Sequence, residues 1–93
     1  MLTGMQIRMA RAALRWRVDN LADSSGISWA RIQKMEKEDD VPSAPEQHLQ
    51  KVRNIFEEHG VIFLDQDKDG KVGVQFAPPP LNPFDENSSS LGL

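Results

Sequence analysis

Leu21-Ala22-Asp23-Ser24-Ser25-Gly26-Ile27-Ser28-Trp29-Ala30-Arg31-Ile32 is the stretch on which the fold turns. Gly26 supplies a residue free to take positive φ, as a chain reversing after a helix requires. Ser28 is a strong N-cap, so a new helix starts at Trp29. Leu21 and Ala22 before the turn, and Ile27 and Ile32 after it, are apolar at spacings that face one another. Ala22 is small enough to let the helices cross closely, and Ile27 plugs the space beneath the turn. Two short helices locked at a tight turn follow.

Working outward, Thr3 caps a helix over Gly4–Leu14, with Met5, Ile7, Met9, Ala10, Ala12, Ala13 and Leu14 as its apolar content. Arg8, Arg11 and Arg15 fall at i, i+3 and i+4 spacings and predict an exposed basic stripe. Trp16 anchors the first turn to the core. Val18, Leu21 and Ala22 stripe a helix over Arg17–Ser25, and Ile32 and Met35 stripe the next, Trp29–Lys37. Glu38–Ser43 is an acidic loop containing Pro42. Pro45 opens the longest helix, striped by Leu49, Val52, Ile55 and Phe56 and closed by Gly60, with His59 a mild cap at its end. Val61–Leu64 and Val72–Phe76 flank the turn-rich Asp65–Lys71 and predict a β-hairpin. The expected organisation is one domain over residues 1–76, its hairpin at 61–76, then a disordered Pro/Ser-rich tail over 77–93.

Composition narrows the function. The 93 residues include no cysteine, which excludes a disulfide framework, a thiolate metal site and a thiol nucleophile. No apolar run is long enough to span a bilayer, and Met1–Arg8 lacks the apolar segment of a secretory signal, so the reading is cytoplasmic. The net charge of −3 hides a division. Residues 1–37 carry seven basic side chains and three acidic ones, whereas residues 38–93 carry four basic and eleven acidic. A basic half suits a polyanionic partner.

Other chemistry is poorly supported. Asp65-Gln66-Asp67-Lys68-Asp69-Gly70 matches the first half of a calcium loop, but the bidentate Glu required at its twelfth position is Phe76. A polar turn explains the same residues. His48 and His59 lie about three helical turns apart, too far to share a metal. No nucleophile–base pair or phosphate-cradling glycine loop is visible, so neither enzyme activity, cofactor nor metal is expected.

Taken in order, Thr3-Gly4, Gln6-Ile7-Arg8, Ala10-Arg11, Leu14, Trp16, Leu21-Ala22, Gly26-Ile27-Ser28, Ile32-Gln33, Met35-Glu36, Val41-Pro42, Leu49, Gly60-Val61 and Phe63 resemble the small Xre-type (lambda-repressor-like) helix-turn-helix regulators that end in a β-hairpin. The resemblance covers residues 3–76. It implies a mainly α fold of four to five helices followed by the hairpin, and binding to double-stranded operator DNA as a homodimer. It also implies that Glu36 braces the fold. Three departures stand out. Arg17-Val18 occupies the positions where the family has a small cap and a phosphate-binding Gln. Glu38 stands where a Gly ends the recognition helix, calling for a left-handed residue or another route. Glu38-Asp39-Asp40 places three carboxylates beside the expected phosphates.

The residues also give their own account of DNA binding. A helix over 29–37 fits the major groove and presents Trp29, Ala30, Gln33 and Lys34 outward. Gln33 suits adenine, Lys34 guanine, and Ala30 or Trp29 a thymine methyl. Arg17, Arg31 and Lys37 suit phosphates, and Ser28 sits at the helix start among them. Trp29 has two other readings: an anchor for a protein partner, or packing over Val18. The alternative function is therefore a protein-interaction module that modulates another regulator without binding DNA. The hairpin is apolar on both faces, and a lone hairpin is marginal in water. Val61, Ile62, Phe63, Leu64, Val72 and Val74 are thus expected to pair two copies, edge to edge or face to face.

Overall fold

The computed structural model describes residues 2–77. Apart from Ala77, the tail read as disordered lies outside the described residues. Four helices, α1 (Gly4–Leu14), α2 (Val18–Ser25), α3 (Trp29–Lys37) and α4 (Glu46–Glu58), precede two strands, β1 (Val61–Leu64) and β2 (Gly73–Phe76). The strands form one antiparallel hairpin with Val61 opposite Phe76 and Leu64 opposite Gly73. No helix among the described residues is long and apolar enough to cross a membrane.

The expected apolar stripes converge on one core. Ile7, Ala10, Leu21, Ile32, Met35, Leu49, Val52, Phe56, Val61 and Phe63 are all buried in it, and Ile27 seals the α2–α3 turn. Trp16 packs its ring against Phe56 and edge-on to His59. Gly26 takes φ 72° and donates its N–H to Ala22 O at 2.9 Å. Buried Ser25 adds a bond that its polarity did not advertise: its Oγ accepts from Ile27 N–H at 3.1 Å, fixing the turn from within.

Helix ends follow local chemistry with two exceptions. Thr3 Oγ1 accepts from Gln6 N–H at 3.1 Å, as an N-cap should. His59 caps α4 by bonding Ile55 O through Nδ1 at 2.8 Å. Arg15, expected only as a surface cation, ends α1 at φ 58°, a conformation that strains a residue with a Cβ. Glu38, where the family pattern has Gly, leaves α3 in extended conformation (φ −89°), so no left-handed residue is needed there.

Gln6 couples the α1 cap to the hairpin. It is buried, and its Oε1 accepts from Thr3 N–H at 3.1 Å, completing a capping box. Its Nε2 donates to Leu64 O at 2.7 Å and to Gly73 O at 3.0 Å, bridging the two strands where they enter the turn. Gly4 is equally constrained, because a Cβ there would stand 1.9 Å from Glu38 O and 2.3 Å from Met35 O. The start of α1 thus lies directly on the end of α3, and Gly4 N–H donates to Asp40 O at 3.0 Å.

The hairpin revises the expected pairing residues. Val61 and Phe63 are buried against the helices, and Val74 is half-buried beside them, because alternate strand residues point to one face. Val61 and Phe63 therefore place their side chains in the core rather than on a face open to a second chain. Ile62 and Leu64 are exposed on the opposite face, and Val72, just ahead of β2, is half-buried. The turn is closed by Asp67, which accepts from Asp69 N–H at 2.9 Å and Lys71 N–H at 2.8 Å.

Replacing Gln6 with Ala should lower unfolding stability by about 2–3 kcal/mol in a urea titration, because Thr3 N–H and two strand carbonyls lose a buried partner. Gln6→Glu should be no milder, since it restores an acceptor for Thr3 but offers two carbonyls no donor.

Candidate nucleic-acid interface

The face that α3 turns outward is set by the residues it turns inward. Ile32, Met35 and Glu36 are buried, so Trp29, Ala30, Arg31, Gln33, Lys34 and Lys37 are all exposed. Ser28 caps the helix, its Oγ accepting from Arg31 N–H at 3.3 Å. Arg17 is exposed at the N-cap of α2, where Asn20 Oδ1 accepts its backbone N–H at 2.8 Å. All eight side chains expected at a DNA surface are thus exposed together, on α3 and its cap or at the start of α2. Trp29 remains 47% exposed. Val18 itself is half-buried and packs on the core.

A buried ion pair holds α3 in place. Arg11 donates from Nε to Glu36 Oε2 and from Nη2 to Glu36 Oε1, both at 2.8 Å, in a bidentate fork. Its Nη1 donates to Trp16 O at 2.9 Å, so one guanidinium ties α3 to α1 and to the α1–α2 connection. The hydrogen bonds to Glu36 raise the Arg11 pKa above its ordinary value, outweighing the opposing effect of burial. Glu36 thus braces the fold from a site only 6% exposed.

Arg8 adds a second tie. Its guanidinium donates to the Glu36 backbone carbonyl and forms an ion pair with Asp39 at 2.6 Å. The exposed arginine stripe expected on α1 is therefore corrected: Arg8 and Arg11 are half-buried braces, while Arg15 is exposed. The sequence signal was available in Glu36 and Asp39, but these pairs join residues about twenty-five or more positions apart, which helical spacing does not connect.

The acidic loop is engaged in the same way. Glu38 Oε2 accepts from Ser43 N–H at 3.1 Å and Asp40 Oδ1 from Val41 N–H at 2.8 Å. Beside α3, Arg8, Arg11, Val18, Gln33, Glu36 and Lys37 line a shallow depression of about 230 Å³. A second groove of about 280 Å³ runs along its other flank, past Ala30, Arg31, Lys34 and Glu38. The exposed residues of α3 thus line two recesses, one on each flank of the helix.

No family model, curated protein or solved structure matches this chain.

Breaking the brace tests how α3 is held. Arg11→Met should destabilise the fold by about 2–4 kcal/mol by leaving Glu36 buried without its partner. Adding Glu36→Leu should recover most of that loss in the same denaturation assay, a coupling that independent sites would not show.

Proposed function

We propose that the protein is a sequence-specific DNA-binding regulator of transcription with a lambda-repressor-like helix-turn-helix domain of the Xre type, reading the major groove with α3. The observation that carries this reading is the outward face of α3, where Arg31, Gln33, Lys34 and Lys37 stand exposed around Ala30 while Ile32, Met35 and Glu36 anchor the opposite side. A helix seated in the major groove reads bases from such a face. Gln33 offers a paired donor and acceptor to adenine, Lys34 donates to guanine, and small Ala30 admits a thymine methyl. Arg17, Arg31 and Lys37 neutralise phosphates at the margins. With Val18 replacing the family's amide, phosphate binding at α2 falls to Arg17. Because Asp39 is paired with Arg8, the acidic loop repels phosphate less than its bare sequence implies.

A second reading rests on Trp29. A tryptophan 47% exposed amid cations also suits a protein surface that buries an aromatic anchor, making the domain a modulator of another regulator. The readings differ in their response to salt. Counterion release makes DNA affinity fall with a log–log slope near −0.9 per neutralised phosphate. Three phosphate-binding cations, Arg17, Arg31 and Lys37, predict a slope of about −3 per domain.

The test is fluorescence anisotropy with labelled duplex DNA over about 20 to 300 mM salt. The expected result is that steep slope, with binding abolished by the double variant Arg31→Glu, Lys34→Glu. Absence of binding at the lowest salt overturns the DNA reading. A partner contact insensitive to salt and lost in Trp29→Ala would establish the alternative.

A further inference from the structure

We propose that the groove between α3 and the loop leading to α4 binds a small aromatic carboxylate, and that this ligand competes with DNA for Arg31 and Lys34. The binding stands on the groove alone, and only the competition rests on the DNA reading.

The groove has walls of two origins. On α3 it is lined by Ala30, Arg31, Lys34 and Met35, and on the loop by Pro42 and Ala44. Met35 and Pro42 are buried and Ala44 is half-buried, whereas Arg31 and Lys34 are exposed. The deeper lining is therefore apolar and the cations stand at the rim. The loop is fixed against the helix. Glu38 Oε2 accepts from Ser43 N–H at 3.1 Å, Ala44 N–H donates to Pro42 O at 2.9 Å, and Gly4 N–H donates to Asp40 O at 3.0 Å. A groove held in this way is formed before a ligand arrives, which lowers the entropic cost of binding. Its volume of about 280 Å³ lies just under the ~300 Å³ at which small-molecule sites begin, so it suits a single-ring molecule.

Charge selects the ligand. Among the described residues no ion pair engages Arg31 or Lys34. In the depression on the other flank of α3, by contrast, Arg8 and Arg11 are already held by Asp39 and Glu36. Glu38 is the one carboxylate among the described residues that line the groove, so two cations against it leave one net positive charge. A monoanion matches that charge, and the second charge of a phosphate ester would meet repulsion from Glu38. The Arg31 guanidinium can donate two parallel N–H bonds to a carboxylate. An aromatic body then covers the apolar lining, where the Met35 thioether favours contact with a ring. Arg31 and Lys34 are also the donors that the DNA reading gives to phosphate and guanine. A bound carboxylate thus occupies what DNA needs, and each ligand weakens the other by the same factor.

Benzoate is the probe, titrated into the full chain without DNA and followed by amide NMR. The amides of Ala30, Arg31, Lys34, Ser43 and Ala44 should shift along one saturable curve with Kd near or below about 1 mM. Acetate and inorganic phosphate should bind at least about tenfold more weakly for want of a ring, and benzyl alcohol for want of a charge. The double variant Arg31→Gln, Lys34→Gln, in which both replaced side chains are exposed, should keep its thermal melt and lose about tenfold or more in benzoate affinity. Lys37→Gln removes a cation from the opposite flank of the same helix and should bind benzoate as the parent does. No saturable shift up to about 20 mM, shifts centred away from the groove, equal affinity for phosphate, or unchanged binding in the folded double variant each overturns the site. Competition is read separately by anisotropy, where saturating benzoate should lower duplex affinity about fivefold or more relative to acetate at the same concentration. Unchanged duplex affinity overturns the competition alone. Absence of duplex binding before benzoate is added overturns the DNA reading and the competition with it, while the NMR titration still decides the groove.

Discussion

The bidentate pair between Arg11 and Glu36 is the interaction on which the arrangement of the helices depends. α3 buries only Ile32, Met35 and Glu36, and a nine-residue helix with so narrow an apolar stripe has little hydrophobic reason to keep one rotation about its axis. Glu36 supplies that reason. A carboxylate 6% exposed is tolerable only with its partners in place, so a rotation that withdrew it from Arg11 would leave a buried charge unpaired. The same guanidinium holds Trp16 O, so the position of α3 is tied to the connection that launches α2. The direction in which Gln33 and Lys34 point is therefore decided by a charge on the opposite side of their helix.

Around that pair, the contact of α1 with the end of α3 is unusually close. Gly4 has no room for a side chain, its N–H is taken by Asp40 O, and Arg8 reaches the Glu36 carbonyl and Asp39. The carbonyls at the end of a helix otherwise need water or a cap, and Arg8 supplies a cation where the helix dipole favours one. In the same neighbourhood Glu38 dispenses with a glycine. It leaves α3 in extended backbone because the chain is steered there by Arg8, Gly4 and the Glu38–Ser43 contact rather than by a left-handed turn. Each carboxylate of the acidic run has a partner: Glu38 with Ser43 N–H, Asp39 with Arg8 and Asp40 with Val41 N–H.

What the sequence made legible was local. Thr3, Gly26, Ser28 and Gly60 punctuate the helices where their own φ preferences and side-chain oxygens dictate, and the apolar spacing located the core down to Ile27 under the turn. The outward residues of α3 followed from the same periodicity. What escaped was long-range and polar. Nothing in the local pattern around Gln6 connects its amide to Leu64 and Gly73, and Arg8 and Arg11 look like any solvated basic stripe until α3 is folded against them. The alternation of Val61–Leu64 could not be assigned either, because four apolar residues in a row do not say which two face inward. Only the packing of β1 on α4 and α1 separates Val61 and Phe63 from Ile62 and Leu64.

These long-range bonds also explain why a hairpin of four-residue strands holds its place. Isolated, such a hairpin is marginal in water. Here Val61 and Phe63 bury one face, Arg53 lies 5.6 Å over the Phe63 ring, and Gln6 clasps both strands at the turn end. At the other end Gly60 takes φ 93° and the Ala77 N–H closes on its carbonyl, where a Cβ would come within 2.2 Å of Ala77 O. Both ends are fastened to α1 or α4, and each fastening uses a group that also serves a helix terminus. The hairpin is thus fastened to the helical core at both ends, through Gln6 to α1 and through Gly60 to the end of α4.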